Sequence, residues 1–314
     1  MTPEPLPDSA RARDPWAPIA QRPVLPAVLG ALFIAFSGIL VRLANVEPAT
    51  AAIFRCLYAL PPLALLALLE RRAYGPRPAS QVGLAWLAGL FFAVDLELFH
   101  HTVAYVGAGL GTVLGNTQVI LVGVLAWLLF GERMDGRTMA AVPIAMLGVV
   151  LISGVIGADA YGSDPLLGVI TGLGTGLAYA GFLLVLRRGH ADLRRPAGPL
   201  FDATLSATVG GVLIGLPLGE VDLVPSWPAH GWLVLLALSA QFVGWLLISV
   251  SLPRLPTALT SVVLTLQPVG AVVLASVLVA EAPSAVQLAG AACILAGLLL
   301  ATIRRRPTPP AEFG

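Results

Sequence analysis

The stretch TQVILVGVLAWLLFGER (117–133) returns, altered but in register, as LQPVGAVVLASVLVAEA (266–282). In each copy a Gln (Gln118, Gln267) precedes a Glu (Glu132, Glu281) by 14 residues, and a Gly (Gly148, Gly297) follows 16 residues later. The offset between copies is 149 residues at every one of these positions, close to half of the 314-residue chain. Self-similarity at one long period marks a duplicated unit.

Outward from this pair, apolar runs fill most of the chain: 24–44, 49–70, 82–104, 108–130, 137–156, 166–187, 199–219, 231–252, 257–280 and 284–303. Each is close to the ~20 residues that cross a hydrocarbon core of ~30 Å. Lipid offers backbone groups no partners, so such runs cross as helices. The reading is an all-α membrane protein, with ten transmembrane helices as two inverted five-helix repeats. An odd number of spans per unit forces the second unit upside down relative to the first. Inverted repeats around a midplane site are one build of secondary transporters. The units are 22–156 and 157–303, flanked by tails at 1–21 and 304–314. The first tail is rich in Pro, Ala and charge, which predicts disorder on the cytoplasmic side. It lacks the short apolar core of a cleaved signal, so the first span is expected to be retained.

Composition agrees. The chain is 57% hydrophobic and 11% charged, with a mean hydropathy of +0.89. An average soluble domain is about 25% charged, so too few charges are present here to cover a soluble surface. The net charge of +1 leaves no footprint for nucleic acid. Cys56 and Cys293 both lie in apolar runs and read as small core residues. No phosphate-binding loop occurs, so energy is expected from gradients, with protons a candidate coupling ion and no cofactor. Nothing in the residues indicates an oligomeric state.

Arginine placement orients the chain. With the N-terminus inside, cytoplasmic segments carry Arg71, Arg72, Arg77, Arg133, Arg187, Arg188, Arg194, Arg195, Arg304, Arg305 and Arg306. The opposite loops carry Glu47, Asp159, Asp164, Glu220, Asp222 and Glu281. The bias predicts both termini in the cytoplasm and a multi-pass protein of the inner membrane. Asp202, near the inner end of its span, is expected to meet Arg187 or Arg254. Glycines at helical spacing (Gly168, Gly172, Gly176) predict close helix packing.

The residues now on the page resemble the drug/metabolite transporter superfamily, specifically EamA-type transporters with two EamA repeats. The resemblance rests on PATAAIFRCLYALPP (48–62), with its Pro48 and Arg55. It rests also on AYVGAGLGTVLGNTQ and its continuation through Gly131-Glu132-Arg133 to Ile152, and on the weaker echo at 252–301. It covers residues 24–303. It implies transport of a small metabolite by alternating access, with export favoured. The alternatives are a proton-coupled importer or exchanger and, from another class, a membrane-embedded enzyme or receptor. An enzyme would want a metal-spaced motif or a nucleophile with its base, and neither is present. One departure stands out: Gln118 occupies the place where the first repeat of the family carries a mid-helix Pro, whereas Pro268 is kept beside Gln267. This predicts a straighter fourth helix and a more polar pocket.

The third span, GLFFAVDLELFHHTVAYV, holds Asp95, Glu97, His100 and His101. Such groups cost roughly 2.5–3.5 kcal/mol each at the bilayer centre on insertion scales, so they should face the bundle interior. Glu97 and His101 are i,i+4 neighbours. Asp95 points about 120–160° away from them. Three roles are compatible: a proton relay or charge binder, a structural pair of Arg55 with Glu97 or Asp95, and a metal site of His100, His101 and a carboxylate. Adjacent histidines diverge by 100° on a helix, which disfavours the metal. Gln118, Asn116 and Gln267 lie near mid-depth of the fourth and ninth spans and are expected at the substrate cavity. Trp245, Gln241, Tyr179, Phe36 and Trp86 are further candidates for its walls.

Overall fold

The computed structural model describes residues 16, 21–130, 136–156, 159–189, 192–251, 254–255 and 257–302. Among these there are helices and turns and no strand. In chain order the helices are α1 (Val24–Ala35), α2 (Ser37–Ala44), α3 (Pro48–Leu57), α4 (Leu60–Tyr74), α5 (Ala79–Gly115), α6 (Gln118–Phe130), α7 (Gly136–Ile152), α8 (Pro165–Gly189) and α9 (Ala197–Leu218). Then come α10 (Ala229–Leu236), a π-helical segment (Ala237–Gly244), α11 (Trp245–Ser251), α12 (Thr257–Leu278) and α13 (Ala285–Thr302). The expected features at Glu132 and Arg133 and most of both tails lie outside the described residues.

Among the described residues seven helical stretches are long and apolar enough to cross a membrane, and Gly136–Ile152 and Thr265–Leu278 are shorter apolar helices. One of the seven, Ala79–Leu121, is 43 residues long. At 1.5 Å per residue that is about twice a bilayer core. It does not run straight. Gly107 takes φ 86° and ψ 169°, open to glycine because it has no Cβ. A Cβ on Gly111 would lie 3.4 Å from the side chains of Thr102 and Val103, residues about 12 Å away in a straight helix. The chain therefore doubles back at Gly107.

Prolines and a left-handed residue shape the entry. Asn45 closes α2 with φ 48°, and Pro48 opens α3, as helix ends favour. Pro61 and Pro62 sit in the first turn of α4, after a break at Tyr58–Ala59. The fourth span is not straight, contrary to expectation. It tightens into a turn at Asn116–Thr117, where the Asn116 amide donates to the Thr112 carbonyl (2.8 Å) and the Thr117 hydroxyl to Leu114 (2.6 Å). Side chains that bond back to the helix's own carbonyls bend it without a proline.

α5 is the centre of the bundle, packed by α8, α9, α12, α2 and α3, while α7 and α13 form a second pair. Small residues let the backbones close up. A Cβ on Gly148 would sit 2.5 Å from the Gly290 carbonyl, and one on Gly297 3.2 Å from that of Ala141, so α7 and α13 run antiparallel. Gly168, Gly172 and Gly176 press against Val106, Leu114 and Thr117, as their spacing predicts. Large apolar side chains, among them Leu65, Leu213, Leu216 and Val277, stand more than half exposed. Such a surface suits lipid rather than water.

Candidate functional site

Where α1, α2, α3, α5, α8, α11 and α12 converge lies a cavity of about 60 Å³. Arg55, Asp95, Asn116, Gln267, Tyr179 and Trp245 line it, together with Ser37, Phe92, Phe99, Thr112 and Thr175. Arg55 is 4% exposed. Its Nη1 donates to the Ser37 hydroxyl (2.9 Å) and its Nε to the Gln241 carbonyl (3.2 Å). The Gln241 amide donates in turn to Thr204 (3.2 Å). Gln241 lies in the π-helical segment, a wider turn that often accompanies a functional side chain. Nη2 of Arg55 makes no hydrogen bond among the described residues.

Asp95 is buried within electrostatic reach of Arg55. Its carboxylate accepts no hydrogen bond and joins no ion pair among the described residues. Two further buried groups in the cavity wall, Trp245 Nε1 and Thr175 Oγ1, have no partner among the described residues. Buried polar atoms are rarely orphaned, so a cluster of them marks a place where a ligand completes the bonding. Trp245 packs with its ring edge-on to Phe92, Tyr179 and Phe182 at 5.8, 5.9 and 5.4 Å.

The structure separates the expected site residues. Gln267 and Asn116 line the cavity, whereas Gln118, its repeat mate, is buried outside that lining, its backbone close to Gly176 of α8. Glu97 and His101 point elsewhere on α5, toward Glu220, so Asp95 rather than Glu97 shares the cavity with Arg55. His100 donates from Nδ1 to the Pro48 carbonyl (3.1 Å) and faces a second cavity of about 480 Å³ with Arg42, Tyr105 and Tyr161. Trp86 is exposed, and Phe36 packs in a neighbouring apolar cluster. Cys56 and Cys293 are free thiols.

Two carboxylates close the opposite ends of the bundle in the same way. Glu281, almost wholly buried, accepts from the backbone N–H groups of Ala108 (2.7 Å) and Gly109 (3.0 Å) and from Arg42 (2.5 Å). It caps the helix that restarts after Gly107. Glu70, at the end of α4, accepts from the N–H groups of Ala197 (2.9 Å) and Gly198 (2.7 Å) and from the Trp16 indole (3.2 Å). It caps α9. Helix N-termini favour anions because their first N–H groups lack partners. A third cavity of about 450 Å³ opens beside Glu70. There Asp202 pairs with Arg77 rather than Arg254, because Arg77, ahead of α5, faces the start of α9; the Arg187 side chain lies outside the described ones. Burial holds the Glu220 carboxyl above its ordinary range, with Glu97 adding to the rise. In the loop before α9, hydrogen bonds from Arg194 hold Asp192 below its ordinary range.

Sequence reasoning did not find Glu70 as a cap, nor Thr175, Ser37 and Phe92 as cavity lining. Glu70 carried a readable signal, an acid at a span's end; the other three look like ordinary helix residues.

Comparison with known proteins bears on the whole arrangement. A solved crystal structure superposes with a TM-score of 0.59 over 90% of this chain and 96% of its own, at 15% identity, which speaks to the fold alone. The uncharacterized transporter YxxF of Bacillus subtilis (strain 168) is 27% identical over 60% of this chain, and the uncharacterized transporter YetK of the same organism 23% over 62%. The uncharacterized transporter sll1319 of Synechocystis sp. (strain ATCC 27184 / PCC 6803 / Kazusa) is 26% identical over 45% of this chain and 45% of its own. The chain spans 59% of the length of the two Bacillus relatives. The profile of the EamA-like transporter family matches twice, over residues 21–154 and again over 166–303. With two family domains, a multi-pass set of apolar helices and no strand among the described residues, the chain belongs to the EamA-like transporter family.

Proposed function

We propose that this chain is a secondary transporter with ten spans in two inverted repeats, carrying a small amino-acid-like zwitterion through the Arg55–Asp95 cavity by alternating access. The single observation that carries the substrate class is the pairing of opposite charges in one buried space. Arg55 offers its unused Nη2 edge to a carboxylate, the partner its planar fork fits best. Asp95, without a hydrogen bond of its own, offers an acceptor to an ammonium. Trp245 Nε1, Thr175, Asn116 and Gln267 supply further polar contacts, and the rings of Phe92, Tyr179 and Trp245 an apolar wall.

Several observations support the architecture. The 43-residue stretch that doubles back at Gly107 has the length of two spans, and two shorter apolar helices add to the remaining six. The contact of Gly148 with Gly290 maps, by the 149-residue offset, onto that of Gly297 with Ala141. That correspondence supports a two-fold relation between the repeats, as an axis in the membrane plane would give. Arginine asymmetry supports both termini in the cytoplasm of a cell membrane protein. The central space of about 60 Å³ holds about two waters, while larger cavities lie beyond it on both sides. This suits a closed intermediate, with the Glu281 and Glu70 caps sealing opposite ends.

Counterflow in sealed proteoliposomes, run with a panel of amino acids and with their amides and amines, tests the reading. Uptake of one or more zwitterions, abolished by Arg55→Lys and by Asp95→Asn when equal amounts of folded protein are reconstituted, is the expected result. Equal transport of amides or amines would refute the paired-charge site.

A further inference from the structure

Glu97 and His101 stand one turn apart on α5, and Glu220 follows Gly219, whose left-handed backbone (φ 72°) ends α9. His101 Nε2 lies 3.3 Å from Glu97 Oε1 and 3.3 Å from Glu220 Oε2, and the three atoms all fall within 4.8 Å of one another. Glu97 is 4% exposed, yet among the described residues neither of its oxygens accepts an aligned hydrogen bond, and Glu220 Oε2 is also without one. The His101 and Glu220 side chains are about one-fifth exposed, so the cluster is reachable from one end of the bundle.

Two carboxylates face one imidazole here, and the charge of Glu47 is felt there as well. With His101 neutral the three residues carry two negative charges, and even an imidazolium leaves one. A divalent cation balances two. Distances fit too. Ligands placed about 2.0–2.1 Å from a tetrahedral ion lie about 3.3–3.4 Å apart, matching both His101 contacts. We propose that Glu97, His101 and Glu220 form a binding site for a divalent transition cation of the Zn²⁺ class, with one coordination position left to water. Imidazole and carboxylate together suit Zn²⁺ and its neighbours better than Mg²⁺ or Ca²⁺. Glu220, not His100, completes the set: adjacent His100 turns its Nδ1 to the Pro48 carbonyl. A bound ion would tie α5 to the end of α9, two elements that pack side by side. The site lies apart from the Arg55–Asp95 cavity and does not depend on what that cavity carries.

The test is titration of Zn²⁺ alone into the full-length protein in lipid nanodiscs, prepared without a polyhistidine tag and in a non-chelating buffer. One saturable ion per chain is expected, and Co²⁺ in its place should give the intense visible bands of a tetrahedral site. His101→Gln and Glu220→Gln should each weaken Zn²⁺ binding by at least about tenfold, the lower bound seen even when outer-shell partners are lost. His100→Gln should bind as the parent does. Both test residues are partly exposed, so the variants keep the experiment readable should Glu97→Gln fail to fold. Absence of saturable binding, or binding unchanged in both His101→Gln and Glu220→Gln, would overturn the proposal.

Discussion

Glu281→Gln removes one charge from a buried cap while keeping its shape. In the parent, Glu281 accepts two backbone N–H groups and one Arg42 N–H. Hydrogen bonds to a charged partner contribute about 1.5–3 kcal/mol each. The amide keeps one acceptor oxygen but turns an NH₂ toward a backbone donor, so at least one such bond is lost and a donor is left buried. The Arg42 pair adds little, because Arg42 is 38% exposed and solvent screens it. The net cost to the closed state is therefore about 2–4 kcal/mol, a shift of about 30-fold to 800-fold in any equilibrium that opens this face. The assay is labelling of a single cysteine at Thr112, in the cavity wall, in a background with Cys56 and Cys293 replaced. An impermeant maleimide added at the Glu281 side should label Thr112→Cys slowly in the parent and much faster when Glu281→Gln is added. Unchanged labelling with unchanged thermal stability would refute the cap. Unchanged labelling with lower stability would reduce it to a structural contact with no part in opening.

Further outcomes follow from the same geometry. Gly107→Ala should lose most folded protein, because its φ is +86° and its Cβ would lie 2.7 Å from the Glu281 carboxylate, whereas Gly111→Ala, with 3.4 Å contacts, should be mild; detergent-stable yield compares them. Arg55→Ala should cost about 3–5 kcal/mol by stranding a buried charge, and Asp95→Asn should restore yield where Glu97→Gln does not, as a double-variant stability series would show. Trp245→Phe should keep its packing and expression while counterflow falls about fivefold to 150-fold, the loss of one hydrogen bond of about 1–3 kcal/mol. An alkaline phosphatase fusion after Arg306 should be inactive and one near Asp159 active; the reverse would overturn the proposed orientation.

The residues by themselves determined the class of protein, because spanning length, sparse charge and the 149-residue echo are properties of local composition and spacing. They also determined which side chains share a helix face. Glu97 and His101 were bound to fall together and Asp95 apart, since 100° per residue allows nothing else. Which of those faces would turn to the cavity was not written in α5. That rotation is set by what the part of α5 before Gly107 packs against: Gly210 and Ser206 of α9, Gly168 and Gly172 of α8, and α5's own stretch after Gly107. The same holds for the helix caps and for Glu220. An acid at a span's end reads as a loop charge until another helix brings its unpaired N–H groups alongside, and Glu220 became a neighbour of Glu97 only because α9 ends beside the middle of α5. Trp245 and Thr175 read as ordinary helix residues, and only the convergence of several helices left their polar atoms buried and, among the described residues, without partners.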